Sequence, residues 1–324
     1  MVGKKIPEID QLFHQIRTYK ETNNFYQILK SVASLRNLSA FNAALIHLQK
    51  PGTIYAATPA RWKNDFNRYV KSNARPLIIL KPFGPVELIY EYNDTEGDPL
   101  PEEIINPFKC RSEVSWNMFD NLIYGAGLEG IEVSFLDGGT GWGGRIQVSY
   151  IPKIINILIE TKEEDVKVTK EEPILSYTSI VLNQNQDLSV QFTSLLHELG
   201  HYYCGHIKFP EKIIHPSRKD EMLAKFFPVY RKLPAEIEEF EAETVCWLVC
   251  QRFKIENESS VKYIHNYMEN SQYIPENISF EAVLKAVNQI EGILKFKYPN
   301  TYIELLTNSE TRKNILEKKN KGEK

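Results

Sequence analysis

Leu195-Leu196-His197-Glu198-Leu199-Gly200-His201 is the stretch from which the rest of the chain is best read. Residues four apart share one face of an α-helix, so His197 and His201 can aim their imidazoles at one point. Two histidines so placed are the start of a tetrahedral Zn2+ site. Glu198, beside the first histidine, falls within reach of a water at such a metal. The metal would acidify that water and polarise a peptide carbonyl, while the glutamate carries the proton to the leaving amine. Leu195, Leu196 and Leu199 supply the apolar side that locks the helix onto a core. Gly200 costs a helix about 1 kcal/mol against alanine, which fits close packing against its backbone. The bland alternative is a helix with two satisfied histidines. Context argues for the metal: a predicted strand at 177–182 leads into the helix, and a strongly acidic helix follows it.

That acidic helix carries Glu236, Glu238, Glu239, Glu241 and Glu243. Glu239 and Glu243 lie four apart on one face. Glu239 is read as the third metal ligand and Glu243 as a carboxylate that supports a ligand histidine from behind, with exchange of the two roles as the alternative. Glu236 and Glu238 read as a solvated face. Gly205 and His206 fall in the wrong register for the third histidine of a metzincin, so His206 is not read as a ligand. Cys204 reads as a buried thiol, and Cys246 and Cys250 as core. The glycine cluster at 138–144 lacks the Lys-Ser/Thr ending of a phosphate loop and reads as a loop beside the cleft. The strand at 177–182 is predicted to be an edge strand that pairs with an extended substrate backbone.

The chain has 324 residues, 42% of them apolar and 25% charged, a soluble globular composition long enough for two domains. It contains no apolar run long enough for a transmembrane helix. Its N-terminal residues show no secretory pattern, and its four cysteines form no disulfide framework. The expectation is a cytoplasmic protein without a membrane partner. The net charge of −3 conceals an asymmetry. Residues 4–82 hold 13 Lys/Arg against 4 Asp/Glu, and the rest of the chain is acidic. Lys50, Arg61, Lys63, Arg68, Lys71, Arg75 and Lys81 alternate with Tyr55, Trp62, Phe66 and Tyr69. Such cations neutralise phosphates while aromatics stack on unpaired bases. The alternative is that Trp62, Phe66 and Tyr69 form a small core and the cations solvate it.

Periodicity predicts helices through 7–50, broken before Ser39 and ended by Pro51-Gly52. A short helix with Trp62 and Phe66 follows, then strands at 76–81 and 86–92 and an Asp/Glu/Gly/Pro-rich linker at 93–107. Beyond it come a helix at 114–127, strands at 131–135 and 146–150, a charged turn or loop at 160–170, and long helices at 188–206 and 235–253. Helices near 259–270 and 279–294 and a lysine-rich tail from 312 complete the pattern. The class is α+β. A small α+β N-terminal domain, residues 1–110, precedes a mostly helical, zincin-like metallopeptidase domain with a small mixed sheet, residues 111–324.

The run from His197 to His206, together with Glu239-Phe240-Glu241-Ala242-Glu243, resembles the ImmA/IrrE-type metallopeptidases. The whole chain is similar to the ArdC-like antirestriction branch. Phe41-Asn42-Ala43-Ala44-Leu45, then Trp62, then Arg75-Pro76-Leu77-Ile78-Ile79-Leu80-Lys81-Pro82 carry the N-terminal part of that likeness. The resemblance implies zinc at His197, His201 and Glu239, Glu198 as the catalytic base, a single-stranded-DNA-binding N-terminal domain and a mobile-element setting. The expected function is zinc-dependent peptide-bond hydrolysis on a protein or peptide substrate, with DNA as a further partner. The alternative is a DNA-binding antirestriction or protection protein in which zinc is mainly structural.

Overall fold

Side-chain caps start three of the helices. Ser39 Oγ accepts the Asn42 N–H at 3.3 Å, and Thr58 Oγ1 accepts the Arg61 N–H at 3.3 Å with Pro59 in the first turn. Ser115 does the same for Met118 at 3.3 Å. The structure, a computed structural model, describes residues 22–81, 84, 86–105, 113–139, 141–160, 165–209, 228–255 and 277–296. The helices expected at 7–21 and 259–270 and the tail from 312 lie outside them.

In chain order the elements are α1 (Thr22–Ser34), α2 (Ala40–Gln49), β1 (Ala56–Ala57), α3 (Pro59–Phe66), β2 (Arg68–Val70), β3 (Leu77–Ile79), β4 (Glu87–Glu91), β5 (Thr95–Gly97) and α4 (Glu102–Ile105). Then follow α5 (Trp116–Leu128), β6 (Ile131–Leu136), β7 (Gly144–Glu160), β8 (Asp165–Asn183), α6 (Leu188–Tyr203), α7 (Ala235–Arg252) and α8 (Phe280–Lys295). The fold is α+β, as the sequence predicts.

The chain divides into two compact units: Met1–Val114 with Leu233–Gly292, and Ser115–Lys232 with Ile293–Lys324. The sequence reading placed a single cut near residue 110. The return of α7 and α8 to the first unit has a packing cause. The Phe25 ring on α1 meets Phe240 at 6.3 Å and Phe280 at 5.3 Å between centroids. Arg252, 5% exposed, pairs with Glu291 and donates to the carbonyls of Val32, Leu35 and Leu38, which α1 and its exit leave without helical partners.

Within the first unit β1-β4-β3 form one antiparallel sheet and β2-β5 a separate ribbon. Two amides on α2 cover the outer edge of β3. Asn42 exchanges two hydrogen bonds with the Leu80 backbone, both 3.0 Å, and Gln49 two with Ile78, both 2.8 Å. They imitate a neighbouring strand and so occupy edge groups that invite aggregation. The stretch predicted as a linker holds β5 and α4 instead, and Leu100 belongs to a small core with Tyr55, Ala57 and Trp62.

The second unit is a three-stranded sheet ordered β6-β8-β7, with β6 parallel and β7 antiparallel to β8. The charged loop expected at 160–170 is largely strand, because β8 begins at Asp165. Asp165-Val166-Lys167-Val168-Thr169 alternates polar and apolar residues, a strand pattern that its charge obscures. α5 and α6 lie on the sheet around Phe119, Leu122, Ile180, Leu182, Phe192, Leu195, Leu196 and Leu199, all buried.

Candidate metal centre

α6 follows β8 after the short turn at 184–187. Phe192, Leu195, Leu196 and Leu199 are wholly buried, and that apolar side fixes the helix's rotation about its axis. The rotation leaves His197 half-buried and buries Glu198 and His201, at 8% exposure each. The Nε2 atoms of His197 and His201 are 3.1 Å apart. Two Zn–N bonds of about 2.0–2.1 Å at a tetrahedral angle separate their nitrogens by roughly 3.3–3.4 Å. The pair therefore converges on one point at nearly the spacing that such an ion needs. Among the described residues, His197 and His201 belong to one group of side chains able to hold a metal ion, and Cys204 and His206 to a second.

Glu198 is oriented by the sheet. Its Oε2 accepts the Ile146 N–H of β7 at 2.8 Å. This corrects the reading of residues 177–182 as an edge strand. They are the end of β8, which lies between β6 and β7, so the strand presented to Glu198 is β7. Strand order depends on pairings distant in sequence, and the alternation of one strand does not reveal it.

The glycine cluster is a braced loop. Asn183, wholly buried, donates to the Gly139 and Trp142 carbonyls, both at 2.9 Å, and its N–H donates to the Gly143 carbonyl at 2.9 Å. A Cβ on residue 143 would sit 2.4 Å from Ser194 Oγ, one turn before His197. Gly143 thus lets the loop press on the metal-site helix. Sequence reasoning missed Ile146 and Asn183, since neither stands in a motif.

Tyr202 follows His201 and is buried. Burial pushes its phenol well above the usual tyrosine range, and the Glu129 carboxylate adds to this. It is a packing residue, not a proton carrier. Cys204, Cys246 and Cys250 are buried thiols outside any disulfide, as expected.

On α7 in the first unit, Glu239 is exposed, Glu243 half-buried and Glu241 wholly buried. Glu241 Oε1 accepts the Ser279 N–H at 2.6 Å, at the start of α8. It satisfies a helix N-terminus where negative charge is favoured. Glu238 is half-buried and Glu236 exposed.

Of the cations read as a nucleic-acid face, Arg61, Lys63, Lys71, Arg75 and Lys81 are exposed. Lys50 is half-buried and bonds Asp94 at 2.8 Å and Glu91 at 3.1 Å. Burial works against its ammonium, but the Asp94 and Glu91 carboxylates outweigh this and raise its pKa. Arg68 departs from the surface reading. It is 5% exposed, bonds the Thr95 hydroxyl and carbonyl and the Gly97 carbonyl, and lies 4.4 Å from the Tyr92 ring. Trp62 is core, donating its indole N–H to the Tyr90 carbonyl at 2.8 Å, whereas Tyr69 is 51% exposed.

The fold and site therefore present a helix with two convergent histidines, packed on a mixed sheet. No protein-family model matches the sequence, and no curated protein matches it. Among solved structures, the chain is similar to a metal-free crystal structure of the antirestriction ArdC protein from the R388 plasmid. The match has 13% identity and a TM-score of 0.34, and covers 90% of this chain and 98% of that one. No described helix is long and apolar enough to cross a membrane.

Proposed function

We propose that the chain is a zinc-dependent metallopeptidase whose N-terminal domain, basic over residues 4–82, binds single-stranded DNA. The convergence of His197 and His201 Nε2 at 3.1 Å, with Glu198 between them in sequence, carries this reading. His197 and His201 hold the metal, and Glu239 supplies the third ligand, with Glu243 supporting a ligand histidine. Bound zinc supplies Lewis-acid polarisation of a peptide carbonyl and a more acidic water. Glu198 accepts the proton from the attacking water and delivers it to the departing amine. The Ile146 N–H holds the Glu198 carboxylate in one orientation. The substrate is a protein or peptide.

Zinc content of the purified chain beside His197→Ala and Glu239→Ala tests the ligands, and a peptide-library digest with Glu198→Gln tests the chemistry. The expected result is zinc lost in the first two variants, and zinc kept but cleavage lost in the third. Unchanged zinc in both ligand variants, or unchanged cleavage in Glu198→Gln, overturns the reading.

The exposed Arg61, Lys63, Lys71, Arg75 and Lys81 also fit a second reading, a DNA-protection protein with a structural zinc. Under it, Glu198→Gln keeps cellular function, whereas charge reversal at Arg61, Lys63 and Lys71 abolishes both function and the salt-dependent binding of a single-stranded oligonucleotide.

A further inference from the structure

α6 ends in a Schellman arrangement. Gly205 stands at φ +77°, the Gly205 N–H donates to the Tyr202 carbonyl at 3.1 Å, and the His206 N–H donates to the His201 carbonyl at 3.0 Å. This motif folds the residue after the glycine back over the residue five positions earlier, and the pair commonly makes an apolar contact. Here the pair is His206 and His201, and their Nδ1 atoms are 2.9 Å apart in a buried hydrogen bond. His201 therefore uses both ring nitrogens: Nε2 faces the point shared with His197, and Nδ1 faces His206.

The turn that delivers His206 is itself fixed. The Arg231 N–H donates to the Gly205 carbonyl at 2.7 Å, and its guanidinium donates to the Cys204 carbonyl at 3.1 Å. The Val229 carbonyl oxygen lies 2.2 Å from where a Cβ on residue 205 would stand, so glycine is required there on steric as well as conformational grounds.

We propose that His206 is a positioning residue of the metal site, setting the tilt of the His201 ring through the Nδ1–Nδ1 hydrogen bond. When His201 binds a metal through Nε2, the ring proton sits on Nδ1 and is donated to His206 Nδ1. Partners of this kind fix a ligand's tautomer and orientation, and removing them commonly weakens metal binding 10–100-fold. The inference rests on the metal reading above.

The experiment measures zinc affinity by chelator competition, and the Co2+ absorption spectrum, for the parent chain, His206→Leu, His206→Asn and His197→Ala. Leucine preserves the apolar fold-back of the motif, whereas asparagine returns an acceptor oxygen near the place of Nδ1. The expected result is a roughly 10–100-fold loss of affinity with altered Co2+ bands in His206→Leu, and substantial recovery of both in His206→Asn. Metal-free His206→Leu should unfold near the parent's temperature, since the cap itself survives. Equal zinc affinity in the parent and His206→Leu overturns the proposal. A loss in His206→Asn as deep as that in His197→Ala also overturns it, by making His206 a ligand. A parent chain that binds no zinc, or a His197→Ala variant that binds it undiminished, overturns the metal reading itself and the proposal with it.

Discussion

α6 and α7 each bury a glutamate that accepts a backbone N–H, and the two carboxylates sit in different settings. Glu198 accepts from Ile146 at 2.8 Å, and Glu241 accepts from Ser279 at 2.6 Å. Their settings separate them. Glu198 stands between two histidines whose ring nitrogens converge, and its partner is a strand backbone. Glu241 accepts the Ser279 N–H at the start of another helix, where negative charge is favoured. A buried carboxylate is thus evidence of function only through what else converges on the same point.

The sharpest way to break this contrast is to make the same substitution at both positions. Glutamine keeps a carbonyl oxygen for the backbone N–H but cannot take a proton. Glu198→Gln should lower peptide hydrolysis by about 10²–10⁴-fold, whereas Glu241→Gln should leave turnover near the parent's; equal losses in a single cleavage assay would erase the distinction. The next effect concerns a buried charge that is purely architectural. Arg252→Met should cost about 3–5 kcal/mol, because it removes the cation that pairs with buried Glu291. A urea titration monitored by tryptophan fluorescence measures this, and a cost below 1 kcal/mol contradicts the strut.

A smaller effect comes from His47 on α2, which lies in the first unit, apart from the metal helix. Burial lowers its pKa below 6.5, and Ser31 Oγ lies 2.7 Å from its Nδ1. The unfolded chain therefore binds this proton more readily than the folded one, so stability is complete above pH 6.5 and declines as the pH falls below it. Thermal unfolding across pH 5–8 should show this slope and show it reduced in His47→Gln; an identical slope assigns the effect to other groups. The smallest change is expected at Arg61, whose 3.3 Å pair with Asp65 is exposed. Arg61→Ala should alter stability by no more than about 0.5 kcal/mol while weakening single-stranded DNA binding. A large stability loss would show that the cation serves the fold.

The parts of the site that were legible in the sequence are the local ones. The i, i+4 histidines, the intervening glutamate and the helix start at Ser39 all follow from helix periodicity and terminal chemistry over a few residues. Gly205-His206 is equally local, although its register against the metzincin pattern does not reveal its place beside His201. Read as a helix stop it contains the fold-back onto His201. The first half of β8 was misread because its charges outweighed its alternation.

Sequence by itself determined the α+β class, the helix that carries His197, Glu198 and His201, and the charge division between the chain's beginning and its remainder. Tertiary structure alone decided that β7, and not the end of β8, meets Glu198, that Arg68 and Arg252 turn inward, and that α7 and α8 pack with α1. The reason is range. Helix faces and caps are set by neighbours within one or two turns, whereas strand order, the burial of a guanidinium and the choice of packing partner depend on residues tens to hundreds of positions away, which no local pattern records.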